Sequence, residues 1–129
     1  MAERKRIIVL EDDASMLTAV ERMLKARGFE PEVFDTVEGL LAGADFKDAS
    51  CLVLDINLGG HCGIELRKKL ARAGVSVPVI FITAVDSKAT KEAALRAGCV
   101  AYLHKPFPSQ DLIDAIEHVG GFHDGPDPT

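Results

Sequence analysis

Ile7-Ile8-Val9-Leu10-Glu11-Asp12-Asp13-Ala14-Ser15-Met16-Leu17 is the stretch from which the rest of the chain can be read. Its four aliphatic residues come in unbroken succession rather than alternating with polar ones. That pattern describes a strand buried on both faces, as in a parallel sheet covered by helices. Three acids end the run, and the period then changes. From Ala14 to Arg27 the apolar residues Met16, Leu17, Val20, Met23 and Leu24 recur three and four apart, and Gly28 follows where a helix would stop. Strand, acidic turn, helix is the opening unit.

The order recurs downstream. Cys51-Leu52-Val53-Leu54, Val77-Pro78-Val79-Ile80-Phe81-Ile82 and Val100-Ala101-Tyr102-Leu103 read as further buried strands, and the shorter, more polar Glu32-Val33-Phe34 as an edge strand. Helices are expected from an Asp35 or Thr36 cap through Leu41, from Gly63 to Ala73 before Gly74, from Ser87 to Ala97 before Gly98, and from Ser109 to about Val119. Strands alternating with helices of this length predict right-handed crossovers, hence an α/β, doubly wound parallel sheet with helices on both faces. Residues 120–129, rich in Gly and Pro and without an apolar period, read as a frayed tail or the start of a linker, leaving 1–119 as one domain.

Composition narrows the class. The 129 residues, 47% hydrophobic and 27% charged, suit a single globular domain. A net charge of -5 and the lack of a basic stripe argue against direct nucleic-acid binding. Cys51, Cys62 and Cys99 are odd in number and widely spaced, which suggests neither a disulfide framework nor a zinc site and fits a reducing compartment. No stretch approaches the roughly 20 apolar residues of a membrane span, and the chain reads as cytoplasmic.

Ligands of open α/β sheets bind beyond the carboxyl ends of the strands, where the strand order reverses. Those ends carry Glu11, Asp12 and Asp13 after the first strand, Asp55 after the third, Thr83 and Ala84 after the fourth, and Lys105 and Pro106 after the fifth. Each alone has a structural explanation: Asp13 as a helix cap, Asp55 as a turn former, Thr83 as a strand end, Lys105 as a surface charge. Together they put carboxylates, a hydroxyl and an ammonium on one edge. Two carboxylates about 4 Å apart repel by on the order of 4 kcal/mol at an effective dielectric near 20, so a cation belongs among them. Oxygen ligands without His or Cys select Mg²⁺, which readily shares its coordination sphere with phosphate. Asp55 is then the natural nucleophile for phosphoryl transfer, with Mg²⁺, Lys105 and Thr83 each able to take one phosphoryl oxygen. His61 with Cys62, His104, His118 and His123 have no sequence neighbours that would make a site.

In order and spacing, Ile-Val-Leu-Glu-Asp-Asp ending at Asp13, Leu-Val-Leu-Asp-Ile ending at Ile56, Ile-Phe-Ile-Thr-Ala ending at Ala84 and Tyr-Leu-His-Lys-Pro-Phe ending at Phe107 resemble the receiver domain of two-component response regulators, over roughly Arg4 to Val119. The resemblance implies a flavodoxin-like fold with strand order 2-1-3-4-5 and five flanking helices. It implies a phosphoryl group delivered to Asp55 from a phosphohistidine on a histidine kinase or histidine phosphotransfer protein. It also implies metal ligation by Asp13, Asp55 and the backbone carbonyl of Asn57, with Asp12 acting through a water. Thr83 and Lys105 would bind phosphoryl oxygens, Ala84 would leave room for them, and Lys105-Pro106 would be a cis peptide. Thr83 and Tyr102 would form the switch acting on the face of the fourth helix, fifth strand and fifth helix. An output domain after residue 129 and a homodimer on phosphorylation are the further partners implied. Where family members commonly carry Pro, four residues after the phosphorylated Asp, this chain has Gly59 followed by Gly60, from which a looser loop is expected. A Mg²⁺-dependent phosphohydrolase with an aspartyl nucleophile is the alternative from another class, but Asn57 stands where such enzymes carry their second acid. A degenerate receiver serving only as a scaffold is disfavoured by the intact Asp12, Asp13, Asp55, Thr83 and Lys105.

Overall fold

The computed structural model describes residues 5–85 and 87–122. In chain order these form β1 (Arg6–Leu10), α1 (Ala14–Ala26), β2 (Glu30–Phe34), α2 (Val37–Gly43), β3 (Ala49–Asp55), β4 (Asn57–Leu58), β5 (His61–Cys62), α3 (Gly63–Arg72), β6 (Val79–Thr83), α4 (Lys88–Arg96), β7 (Ala101–His104) and α5 (Ser109–Phe122). β4 and β5 make a small antiparallel ribbon of their own. The other five strands form one parallel sheet ordered β2-β1-β3-β6-β7, which is the expected 2-1-3-4-5 order once the ribbon is set aside.

Alternation along each strand divides the core in two. Ile7, Val9, Cys51, Val53, Ile80 and Ile82 face α1 and α5, meeting Val20, Leu24, Leu112, Ile113 and Ile116. Ile8, Leu10, Leu52, Leu54 and Phe81 face the other way, against Leu40 of α2, Leu66 and Leu70 of α3 and Ala94 of α4. Both sets must be apolar, and this is why the strands read as continuous aliphatic runs.

Local chemistry fixes most helix ends. Asp13, Thr36 and Ser87 cap α1, α2 and α4 by accepting from the backbone N–H groups of Met16, Gly39 and Thr90 at 3.0, 2.9 and 3.3 Å. Thr36, not Asp35, is therefore the cap of α2. β2 starts earlier than expected, and Pro31 is tolerated there because an edge strand leaves one side of its ladder unpaired. β6 starts later, at Val79, since Pro78 has no N–H, although its carbonyl still accepts from Leu52 N at 2.8 Å. The backbone of α5 continues through Gly120 and Gly121 to Phe122, beyond the expected end near Val119. The expected tail over 123–129, with His123, lies outside the described residues.

No helix among the described residues is long and apolar enough to cross a membrane. Leu54 is fully buried in β3, whereas Leu41 is 44% exposed on α2. Leu54→Ala is expected to lower the unfolding free energy by about 2–5 kcal/mol, and Leu41→Ala by about 0.5 kcal/mol or less. Urea unfolding of both variants checks the assignment of the core.

Candidate functional site

β1 and β3 are neighbours, but the chain leaves β1 for β2 on one side and reaches β3 on the other. The strand order therefore reverses between their carboxyl ends. Glu11 prolongs β1 by one residue, its N–H donating to Phe34 O at 3.1 Å, and its side chain is fully buried. Asp55 ends β3 and is 3% exposed. Thr83 ends β6 and is fully buried. Lys105 follows β7, with its main-chain N–H on Thr83 O at 2.7 Å and a cis peptide linking it to Pro106.

The ammonium of Lys105 lies 2.7 Å from Glu11 Oε1 and 2.8 Å from Asp55 Oδ2. The second oxygen of each carboxylate takes a main-chain N–H: Asp13 N donates to Glu11 Oε2 at 3.0 Å, and Asn57 N to Asp55 Oδ1 at 2.9 Å. Burial pushes the Glu11 carboxyl up to about 7; the bonds from Lys105 and the Asp13 N–H oppose this, while neighbouring Asp55 adds to it. Burial works against the Lys105 charge too, but its bonds to Asp55 and Glu11 outweigh that and raise its affinity for the proton.

Glu11, Asp12 and Asp55 bring carboxylate oxygens within 4.8 Å of one another, a cluster of a kind that could hold a cation. The donor set fits Mg²⁺: oxygens alone, with Asp12 exposed on the solvent side and a single ammonium against three carboxylates. Of the expected set, Asp12 and Asp55 belong to this cluster, and Asp13 lies next to it in the chain with its Oδ1 accepting from Met16 N as the cap of α1. Glu11, the third carboxylate of the cluster, was not assigned a role in the sequence. The available signal was its position directly after an uninterrupted buried strand, where one more inward-facing residue is expected.

Thr83 Oγ1 accepts from Val85 N at 3.0 Å, and the Tyr102 hydroxyl donates to Val85 O at 3.4 Å. The ring of Tyr102 is half-buried against the core on the α3 and α4 side. The backbone of Val85 thus joins the two expected switch residues. His61, His104 and His118 are exposed and outside the cluster, with His61 Nε2 3.5 Å from Glu38 Oε2. The loop after Asp55 carries regular pairing where only a looser loop was expected. Gly59 and Gly60, at φ of 44° and 94°, form the two-residue turn of the β4–β5 ribbon.

A family model described as "Response regulator receiver domain" matches residues 7–117. Nodulation protein W of Bradyrhizobium diazoefficiens is 34% identical over 110 residues, covering 85% of this chain and 48% of that protein. Sensory transduction protein RegX3 of Mycobacterium tuberculosis is 35% identical over 113 residues, covering 88% of this chain and 49% of that protein. The chain spans about half the length of these curated relatives. Among solved structures, a CheY-like response regulator receiver domain protein from Methanospirillum hungatei superposes with a TM-score of 0.82 at 28% identity, covering 95% of this chain and 100% of that one.

The geometry sets a pH dependence for the metal-free protein. Glu11 holds its proton more tightly folded, to about 7, than at the ordinary value of 4.5. Its contribution to stability is therefore present in full below about pH 4.5 and lost as pH rises through about 7. Glu11→Gln has no proton to lose. The stability of wild type minus that of Glu11→Gln, from chemical unfolding with chelator across this range, is expected to fall as pH rises; a constant difference would contradict the placement of Glu11.

Proposed function

Since the chain belongs to the response regulator receiver domain family, we propose that Asp55 accepts a phosphoryl group from the phosphohistidine of a histidine kinase or histidine phosphotransfer protein. The observation that carries this reading is the approach of Lys105 Nζ to Asp55 Oδ2 at 2.8 Å, beside Glu11 and Asp12. An Asp55 carboxylate oxygen attacks phosphorus, the P–N bond breaks, and the imidazole leaves as the neutral base on taking up a proton. Asp55 then carries an acyl phosphate.

Asp12, Asp13, Asp55 and the main-chain carbonyl of Asn57 would hold Mg²⁺, with buried Glu11 adding negative charge beside them; when bound, the ion supplies positive charge for the phosphoryl oxygens. Lys105 orients Asp55 beforehand and neutralises charge on the transferred group, and the Thr83 hydroxyl offers a further hydrogen bond. Ala84 is exposed, and its small side chain would leave room for the phosphoryl group. The phosphohydrolase reading is the weaker one, because Asn57 uses its main chain, not a carboxylate, toward Asp55.

Output follows from the tie through Val85. A phosphoryl oxygen that draws Thr83 toward Asp55 shifts the Val85 peptide held by Thr83, and with it the acceptor of the Tyr102 hydroxyl. Tyr102 then turns inward, changing the face formed by α4, β7 and α5. One charge-assisted hydrogen bond is worth about 1.5–3 kcal/mol, within the usual range of coupling between sites. Exposed Leu95 and Val100 lie on that side of the chain and suit a partner or second subunit. A cytoplasmic setting, a modulating rather than DNA-contacting role for this domain, and an output domain beyond residue 129 complete the proposal. The net charge of -5 is consistent with the absence of direct nucleic-acid contact.

With acetyl phosphate or phosphoramidate and Mg²⁺, intact mass is expected to show one phosphoryl group on wild type and none on Asp55→Asn or in excess chelator. Phosphorylation undiminished in Asp55→Asn would sink the assignment. For the switch, NMR of the beryllofluoride complex is expected to show Thr83, Val85 and Tyr102 moving together. Displacement of Thr83 with Tyr102 unchanged would refute the coupling.

A further inference from the structure

The ribbon of β4 and β5 is the feature that the activity described above leaves without a task. Gly59 and Gly60, both at positive φ, make a two-residue turn of type I′, which pairs Leu58 with His61 and Asn57 with Cys62. In such a hairpin the pair beside the turn exchanges the ladder hydrogen bonds. The next pair out does not, and its main-chain groups point away from the partner strand. Asn57 holds that second position. Its N–H is correspondingly directed out of the ribbon, to Asp55 Oδ1 at 2.9 Å. A strand residue carries its carbonyl on the same side as its N–H, so the turn directs both groups of Asn57 toward the phosphoacceptor.

We propose that the Gly59–Gly60 turn is a positioning element of the Asp55 site, setting a ribbon register that presents the Asn57 N–H to the carboxylate and the Asn57 carbonyl to a cation. A slip by one residue would make Asn57 a ladder-bonded position and turn both groups inward. The ribbon is held at its base and meets α2 at its tip. At the base Gly63 N donates to Ile56 O at 2.7 Å, and a Cβ on Gly63 would stand 2.4 Å from Asp55 O, so α3 begins in direct contact with the phosphoacceptor backbone. At the tip His61 lies 3.5 Å from Glu38 at the start of α2. The turn itself lies beside the cluster: a Cβ on Gly59 would be 3.5 Å from Asp12 Oδ2.

The proposal rests on the reading of Asp12, Asp13 and Asp55 as a Mg²⁺ site, and the test separates the two. A Cβ on Gly60 meets nothing within 4 Å, so a substitution there acts through backbone conformation alone. Val is strained at a φ of 94°, whereas Gly59→Asn creates Asn-Gly, the dipeptide that type I′ turns favour. Mg²⁺ is titrated into the full chain without phosphodonor, following the Asn57 amide by NMR, with thermal unfolding recorded alongside.

Gly60→Val is expected to weaken Mg²⁺ binding about tenfold and to move the Asn57 amide off its Asp55 position, while unfolding stays cooperative. Gly59→Asn, whose side chain would stand near Asp12 and so is not used to read affinity, is expected to keep the wild-type Asn57 amide shift. Gly60→Ala, strained to a lesser degree, serves if Gly60→Val does not fold, with a smaller loss in the same direction. Wild-type Mg²⁺ affinity and an unmoved Asn57 amide in a folded Gly60 variant would overturn the role of the turn alone. Failure of the wild-type chain to bind Mg²⁺ would overturn the cation site, and the proposal with it.

Discussion

The Lys105 ammonium, 2.7 Å from Glu11 and 2.8 Å from Asp55, is the contact on which the rest of the site depends. Two buried carboxylates at adjacent strand ends would repel and take up protons without it. The lysine reaches them from the far edge of the sheet, since β7 is separated from β3 by β6 and from β1 by both. Its own backbone is held at Thr83 O. One contact therefore ties together the ends of β1, β3, β6 and β7. Removing one partner from a buried ion pair of this kind typically costs about 3–5 kcal/mol, because the remaining charge is left uncompensated. The single positive charge also falls short of three carboxylates, a deficit of the kind that the proposed divalent cation would offset.

The sheet supplies the rigidity this arrangement needs. Each central strand is packed on both faces by alternate residues, so its carboxyl end cannot shift without disturbing two cores at once. Only the segments beyond the strand ends are free to respond to a new ligand. The loop holding Val85 is such a segment, and the β4–β5 ribbon is the exception, anchored through Gly63 against Asp55.

The fold was legible because burial on both faces writes itself into composition: runs such as Ile7 to Leu10 and Val79 to Ile82 allow few other readings. The site was legible as a set of residues at strand ends, since topology alone brings Asp55, Thr83 and Lys105 to one edge. Which of the successive acids turns inward was not legible. Glu11, Asp12 and Asp13 differ by one position each, and the choice depends on where β1 ends and on α1 recruiting Asp13 as its cap. The ribbon was missed for a related reason. Asn57-Leu58 and His61-Cys62 are too short to show a period, and paired glycines read as freedom when they are in fact the two residues able to take positive φ in succession. The length of α5 was underestimated because Gly120 and Gly121 read as a stop.

The tie between Thr83 and Tyr102 runs through the amide and carbonyl of Val85, and the valine side chain takes no part in either bond. A link made of peptide groups is indifferent to the identity of the residue that carries it. Position 85 can therefore drift among most amino acids without severing the connection, leaving no signature in an inventory of side chains. Proline, which has no N–H to give Thr83, is the exception. The hydrogen-bonded link between the two residues is thus written in backbone geometry, and the side chain at 85, exposed at 42%, stays outside it.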